Sequence, residues 1–454
     1  MQHRRILFTT FFVIGLLIFA LFAPEWQGVR PAHASPDTTW TVTSNGDGFG
    51  FCTQVTCTTL RAAIAAAAPS GDTITFAPGL NTILLAAPLT INKDLTIQGP
   101  GSLNGSKLTT VFIISTGNST ISGLTIHNGV SSSSGLMCLA SPDTSSSCGG
   151  GIVIESGAIL TLNNSTLSGN SAPSGYGGGI LNGSINSGSV SSTLTINNSI
   201  FSDNLADHGY GGGIFNGGIN TLMIPNGITS SKLTISNSTF SGNSAPNGSG
   251  GGIFNAAIDE KEANGPALFI SNSTFSGNSA PNGSGGGIFN SDATKLYGGI
   301  LNLGSSILWG NTADLDGPNI LGVVVSQGNN LIGTTKGVPG NWQSGARGDQ
   351  LNVLLLPPLL GPLASNGGPT ETMSLLQIGS NPAVGTGFCA WKSTFRAVTT
   401  DQRGFVRKTP CDVGAFESGA NPPTPTPGPT PGPCLGTSGL LVLVVIWLHR
   451  RRSG

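Results

Sequence analysis

The chain has 454 residues, 69 of them glycine, with 9% charged residues and a formal net charge of −1. So little charge of either sign excludes an electrostatic partnership with nucleic acid or with an anionic surface. An apolar share of 38% excludes an acidic disordered chain and leaves a Ser/Thr/Asn/Gly-rich β protein with many turns.

In chain order, Arg4 and Arg5 precede an apolar stretch over 6–23, and Ala32-His33-Ala34 forms a small-x-small pattern before Ser35. This reads as an export signal over 1–34, cut after Ala34. The other reading is an uncleaved anchor, since the stretch approaches the length of a membrane span. Export suits the seven cysteines. Spacing offers Cys52 with Cys57, Cys138 with Cys148, and Cys389 with Cys411 as disulfide candidates, although spacing alone does not fix connectivity. Cys434 is left over. No Cys/His spacing suits zinc, and no cofactor is expected.

Residues 35–110 read as an N-terminal cap and the first strands. Thr58 or Thr59 is placed to N-cap a short alanine-rich helix over 60–68. That helix would cover the open strand edges of the first coil. The segments "DTITF", "NTILL", "PLTI" and "DLTIQG" supply strands over 72–99.

Residues 111–325 are dominated by a repeat. "STFSGNSAPNGSGGGIFN" occurs unchanged at 238–255 and 273–290, with diverged copies beginning at Ser165 and Ser199 and a degraded one near Ser306. Each clear copy follows a strand-like piece such as "LTIS". The period is two: Leu233 and Ile235 point one way, Thr234 and Ser236 the other. The glycines supply tight turns. Superposed, Leu167, Phe201, Phe240, Phe275 and Leu308 share one position, and Asn170, Asn204, Asn243, Asn278 and Asn311 share another. Asn182, Asn216, Asn255 and Asn290 share a third. If each copy is one turn of a solenoid, like side chains stack at about 4.8 Å. Phenylalanines then form an inner column, and asparagines form amide ladders. The predicted fold is all-β, a single-stranded right-handed parallel β-helix with a short capping helix. Variable insertions fall between "GGGIFN" and the next "LTIS", on one side of the stack.

The "GGGIFN" and "FSGN" pieces resemble the GGAI and FxxN motifs of polymorphic outer membrane protein repeats, which implies the pectin-lyase-like β-helix. Residues 40–68 resemble the CSLREA domain through Cys57, Leu60, Arg61, Ala63 and Ile64, with Ala62 where glutamate is usual. Within 326–418, "GNNLIG", "TTDQRG" and "CDVGAFE" resemble the choice-of-anchor Q module, although "NPAVGTG" lacks a usual aspartate. The resemblance implies a module that caps the C-terminal end and precedes an anchor. A proline-rich linker follows over 419–433. The tail over 434–454 has an apolar run and then Arg450, Arg451 and Arg452. Counted from Leu435, its apolar segment of 14 residues reaches about 21 Å as a helix, short of the roughly 30 Å hydrocarbon core. It reads as a spanning, processed or lipid-modified anchor, with Cys434 the candidate for processing or lipidation.

Titratable groups are sparse. Asp203, Asp207 and His208 gather in one copy where its sisters lack them, as weak catalytic candidates beside the plainer reading of solvated turn residues. Asp314 and Asp316 form an acidic turn, a loop or at best a weak calcium site, and 259–262 a charged insertion tip. Asp401, Arg403, Asp412 and Glu417 suit structural ion pairing, and Trp309, Trp342 and Trp391 suit core packing or sugar stacking. No phosphate loop or nucleophile motif appears. The chain therefore reads as an exported, surface-anchored protein with an adhesion, display or cell-envelope role. Its partners would be the envelope or membrane, through the tail, and a surface glycan or protein. The runner-up is a polysaccharide lyase or hydrolase, or a glycan-binding module, on the same fold.

Overall fold

The computed structural model describes residues 38–131, 149–155, 157–183, 191–218, 231–256, 266–291, 299–340, 342–353, 359–376, 380–389 and 397–422. The signal over 1–34, Cys138, Cys148, the tip over 259–262, Trp391, most of the proline-rich linker, Cys434 and the tail lie outside these residues.

The repeat winds into rungs of three short strands. One rung comprises Lys232–Ser236, Thr239–Ser241 and Ile253–Asn255. Leu233 and Ile235 are buried, while Thr234 and Ser236 face outward, as period two requires. One residue then turns the chain from the first strand to the second. That residue is Asn164, Asn198, Asn237, Asn272, Ser305 or Asn329, each left-handed with φ between 45° and 59°. Asparagine tolerates this region better than most residues because its short polar side chain bonds locally. After the second strand, the glycine triplet makes the approach to the third. Gly250 takes φ 72°. A Cβ on Gly212 would meet the carbonyl oxygens of Ser244 and Gly251 in the next rung.

Rungs pair in parallel and in register. Leu167 faces Phe201, Phe201 faces Phe240, Phe240 faces Phe275, and Phe275 faces Leu308. The column continues upstream to Ile126 and Leu103, and from Leu308 on to Ile332 and Leu351. The three phenylalanine rings are fully buried and stack with centroids 4.6 and 4.5 Å apart. These registers make the chain an all-β parallel β-helix.

Two amide ladders run through the interior. Asn170 Nδ2 donates to Asn204 Oδ1 at 2.9 Å, Asn204 to Asn243 at 2.9 Å, Asn243 to Asn278 at 2.8 Å and Asn278 to Asn311 at 2.8 Å. The second hydrogen of each Nδ2 reaches a backbone carbonyl, as Asn243 does at Phe201 O. The backbone N–H of each rung donates to the same oxygen, as Asn204 N does to Asn243 Oδ1. The other ladder links Asn182, Asn216, Asn255 and Asn290 at 2.6–2.7 Å. It begins below Ile154, and Asn182 Oδ1 is left without a partner among the described residues.

The N-terminal end is closed as expected. The helix spans Leu60–Ala66, and Thr59 Oγ1 accepts from Ala62 N at 3.1 Å. Leu60, Ala63 and Ile64 are buried in the same core cluster as Trp40 and Ile74. Arg61 fastens the helix to Asp47 at 2.7 Å and to Pro88 O at 2.7 Å. Cys52 and Cys57 are joined on a two-stranded turn.

The C-terminal segment departs from expectation. The described residues of 359–422 are not confined to the solenoid's last strand, Gln350–Leu351, which they touch through Gln350. They fold back along the outside of the solenoid. The cause lies in residues buried on both sides. Leu308 and Ile332 point into the solenoid, while their neighbours Ile307 and Leu331 point out, and all four are fully buried. Ile307 and Leu331 need a cover, which Leu359, Leu360, Leu375 and Val413 provide.

Replacing Phe240 with Ala should cost about 3–5 kcal/mol by opening a cavity in a column that cannot relax along its axis. Replacing Asn243 with Leu removes the acceptor of Asn204 N and one of the two acceptors of Asn204 Nδ2, at about 1–3 kcal/mol for the buried N–H, while Asn278 Oδ1 keeps the backbone N–H of residue 243. Denaturant midpoints at constant slope check both, and a midpoint equal to the parent's would contradict the stacked interior.

Candidate functional site

Asp203 occupies the turn after the second strand, where other rungs have Gly169, Gly242, Gly277 or Gly310. It shares their left-handed φ, at 54°. Its side chain is exposed and lies over Gly242, where a Cβ would collide with Oδ1. Asp207 Oδ2 is 3.3 Å from His208 Nδ1, and both side chains are exposed. Asp207 Oδ1 also accepts from Asn247 Nδ2, and Asn247 Oδ1 from Asn282 Nδ2. Asp207 is thus the first member of an outer amide ladder. No hydrogen bond or ion pair among the described residues links Asp203 to Asp207 or His208. Asp316 pairs loosely with Lys336 at 3.9 Å. No group of three or more His, Cys, Asp or Glu among the described residues is disposed to hold a metal.

The buried charges act as fasteners. Asp72 accepts from Trp40 Nε1 and Ala68 N, each at 2.8 Å, behind the capping helix. Asp349 mirrors it at the far end, accepting from Trp342 Nε1 at 2.8 Å, Ser326 Oγ at 2.5 Å and both Asn330 N and Nδ2 at 2.9 Å. In the returning segment, Arg403 Nε and Nη2 both reach Asp401 Oδ2, at 2.9 and 2.6 Å. The guanidinium lies between the Phe405 and Phe416 rings. Arg407 pairs with Glu417 at 3.3 Å, and both are buried. Burial lowers the Arg407 pKa and raises that of Glu417, each opposed by the attraction between them. Asp412 accepts from Gly385 N and Ser418 N. Cys389 and Cys411 are joined within the same segment.

This segment grips a run of consecutive corner residues. Thr370 Oγ1 donates to Asn198 O at 3.2 Å. Asn237 Nδ2 donates to Thr400 O at 2.6 Å, while its Oδ1 accepts from Arg407 Nη2 at 2.9 Å. Asn272 Nδ2 donates to Phe388 O, Ser305 Oγ accepts from Phe388 N, and Asn329 Nδ2 donates to Thr386 O. Nothing in the repeat pattern marks these corner residues as a docking strip.

A second arrangement escaped the sequence altogether. His127 Nε2 is 3.2 Å from Ser102 Oγ, and its Nδ1 is 3.0 Å from Asn128 Nδ2. With the Asn128 amide donating, Nδ1 accepts and Nε2 carries the proton. The imidazole therefore donates to Ser102 and does not draw its proton, so serine is not activated. Burial lowers the His127 pKa.

Between the solenoid and residues 397–400 lies an open groove of about 800 Å³. Its floor is the outward side of the first strands of three rungs, presenting Thr195 and Asn197, then Thr234 and Ser236, then Phe269 and Ser271. The floor ends a column of outward threonines, in which Thr39, Thr73, Thr96, Thr120, Thr161, Thr195 and Thr234 face one another rung by rung. Lys232 Nζ stands 5.7 Å from the Phe269 ring centroid. It is the groove's one titratable side chain among its described lining residues.

No protein-family model matches the chain, and no curated protein matches it. Among solved structures the chain is similar to Jun a 1, the major allergen from cedar pollen, at 15% identity. That match covers 73% of this chain and 86% of the other, with a TM-score of 0.38. The fold assignment rests on the strand register above and not on this similarity.

The His127 shift sets a pH dependence. Its pKa lies below 6.5 when folded, so the unfolded chain takes up that proton first as pH falls. The associated stability is complete above pH 6.5 and is lost as pH falls through the lowered value. In His127→Gln that part of the decline should vanish from the melting midpoint measured against pH. A mutant profile identical to the parent's would contradict it.

Proposed function

We propose that the protein is an exported, surface-tethered β-helix with a non-catalytic role in adhesion, display or the cell envelope. Residues 40–68 serve as its CSLREA-like entry and 326–418 as its choice-of-anchor Q-like exit, on a pectin-lyase-like solenoid. The observation that carries this reading is the returning segment. It ends at Glu417 and Ser418, both hydrogen-bonded to Asp412 or its neighbours, directly before the proline-rich linker. Load arriving through that linker is spread over corner residues from Asn198 to Asn329 and does not fall on one terminal strand. Such a grip suits a body held at the end of a stalk. The proline-rich linker is a semi-rigid spacer, and the apolar tail and its arginines would hold the far end at the membrane.

A glycan-active enzyme on the same scaffold is the second reading. The groove's hydroxyl-rich floor favours a saccharide ligand. Hydrolysis by paired carboxylates would need acids that the groove's described lining residues do not include.

Removing residues 434–454 should move the protein from the cell fraction into the medium, as read by fractionation and immunoblot. Retention on the cells would remove the tether. Replacing Arg407 with Ala leaves Glu417 buried and uncompensated. The returning segment should then be cut by protease between 353 and 418 while the solenoid persists. Equal resistance in mutant and parent would show that this pair does not hold the segment.

A further inference from the structure

We propose that the groove beside residues 397–400 binds an anionic saccharide, a hydroxyl-rich ring bearing a carboxylate or sulfate. The proposal rests on reading the solenoid as a binding scaffold, but not on its tether.

The floor decides the class of ligand. It is a sheet face and not an edge, so an extended peptide finds no unpaired backbone ladder to join. Its side chains are hydroxyls and amides at rung intervals, a poor match for an apolar ligand and a good one for ring hydroxyls. Part of this polar array is already oriented. Ser236 Oγ donates to Asn197 Oδ1 at 2.7 Å, and Asn197 Nδ2 donates to Asn163 Oδ1 at 2.9 Å. Ser236 thus keeps acceptor capacity for a ligand hydroxyl. Where the preceding rungs have threonine, Phe269 interrupts the column and offers the one aromatic surface among the described floor residues, suited to the C–H face of a sugar ring.

Charge narrows the class further. Lys232 stands beside that ring, and among the groove's described lining residues no carboxylate is present to neutralise it. An acidic substituent on a ring stacked over Phe269 would fall within reach of the ammonium. A nucleic acid would need many such cations, and the described lining residues supply one. The far wall is firm, because Thr400 O is held by Asn237 Nδ2 at 2.6 Å and Arg407 N donates to Thr399 O at 2.9 Å.

The test is calorimetric titration of the purified mature protein with three probes of equal length: an oligomer of hexuronic acid, a sulfated oligosaccharide and a neutral hexose oligomer. One or both acidic probes should bind, and the neutral one about tenfold or more weakly. Added salt should weaken the acidic complex. Lys232→Met should remove the preference for acid, and Phe269→Ser should weaken all saccharide binding, with melting midpoints unchanged in both. Preference for the uronate or for the sulfate identifies the acid. The inference is overturned if no probe binds, if the neutral oligomer binds equally well, or if both variants bind like the parent. None of these results depends on where the protein sits in the cell, so tether and ligand fail separately.

Discussion

A buried amide has to find partners, and in this solenoid each interior asparagine finds them in the same residue of neighbouring rungs. Asn243 accepts from Asn204 and donates to Asn278, and its second hydrogen closes on a backbone carbonyl. Such a row is satisfied only while rungs stay in register. A slip of one residue would turn every inner Leu and Phe outward and break each amide link together. The phenylalanine column imposes the same condition through ring stacking. Sequence identity between rungs is therefore a packing requirement, and it accounts for eighteen unchanged residues in a chain with little apparent chemistry in its repeats.

The ends obey a different constraint. A stack of parallel rungs exposes an unpaired edge at each terminus. Here both ends place a tryptophan N–H on a buried aspartate, Trp40 on Asp72 and Trp342 on Asp349. At the far end the aspartate also receives Asn330, which stands at the position of the serines in earlier rungs and receives the N–H of Ser306. Between the ends, the charges of the returning segment are used in pairing and docking. The exposed acids of the Asp203 rung continue a turn and a ladder. The outward side of the first strands presents threonine rung after rung, with serine and asparagine beside it.

The period of two, the superposed columns and the alanine-rich cap were legible because each is a local pattern repeated in the chain. The placement of the returning segment was not. Its signal was a pair of adjacent apolar residues, Ile307-Leu308 and Leu331-Ile332, which one-sided alternation does not explain and double-sided burial does. The contact of Ser102 with His127 joins residues from neighbouring rungs and has no signature in either segment alone. The groove likewise needs Lys232, Phe269 and residues 397–400, which only the return of the chain brings together.

That return also limits how the gene can grow. Unequal recombination between near-identical repeats adds or deletes whole rungs, and interior packing tolerates this because every rung resembles its neighbour. The returning segment holds one particular succession of corners, Asn198, Asn237, Asn272, Ser305 and Asn329. A rung inserted among them would pull its contacts apart by one strand spacing. A rung inserted before Asn198 would lengthen the rod and leave the grip untouched. Variation in length among descendants of this gene should accordingly collect on the N-terminal side of that boundary.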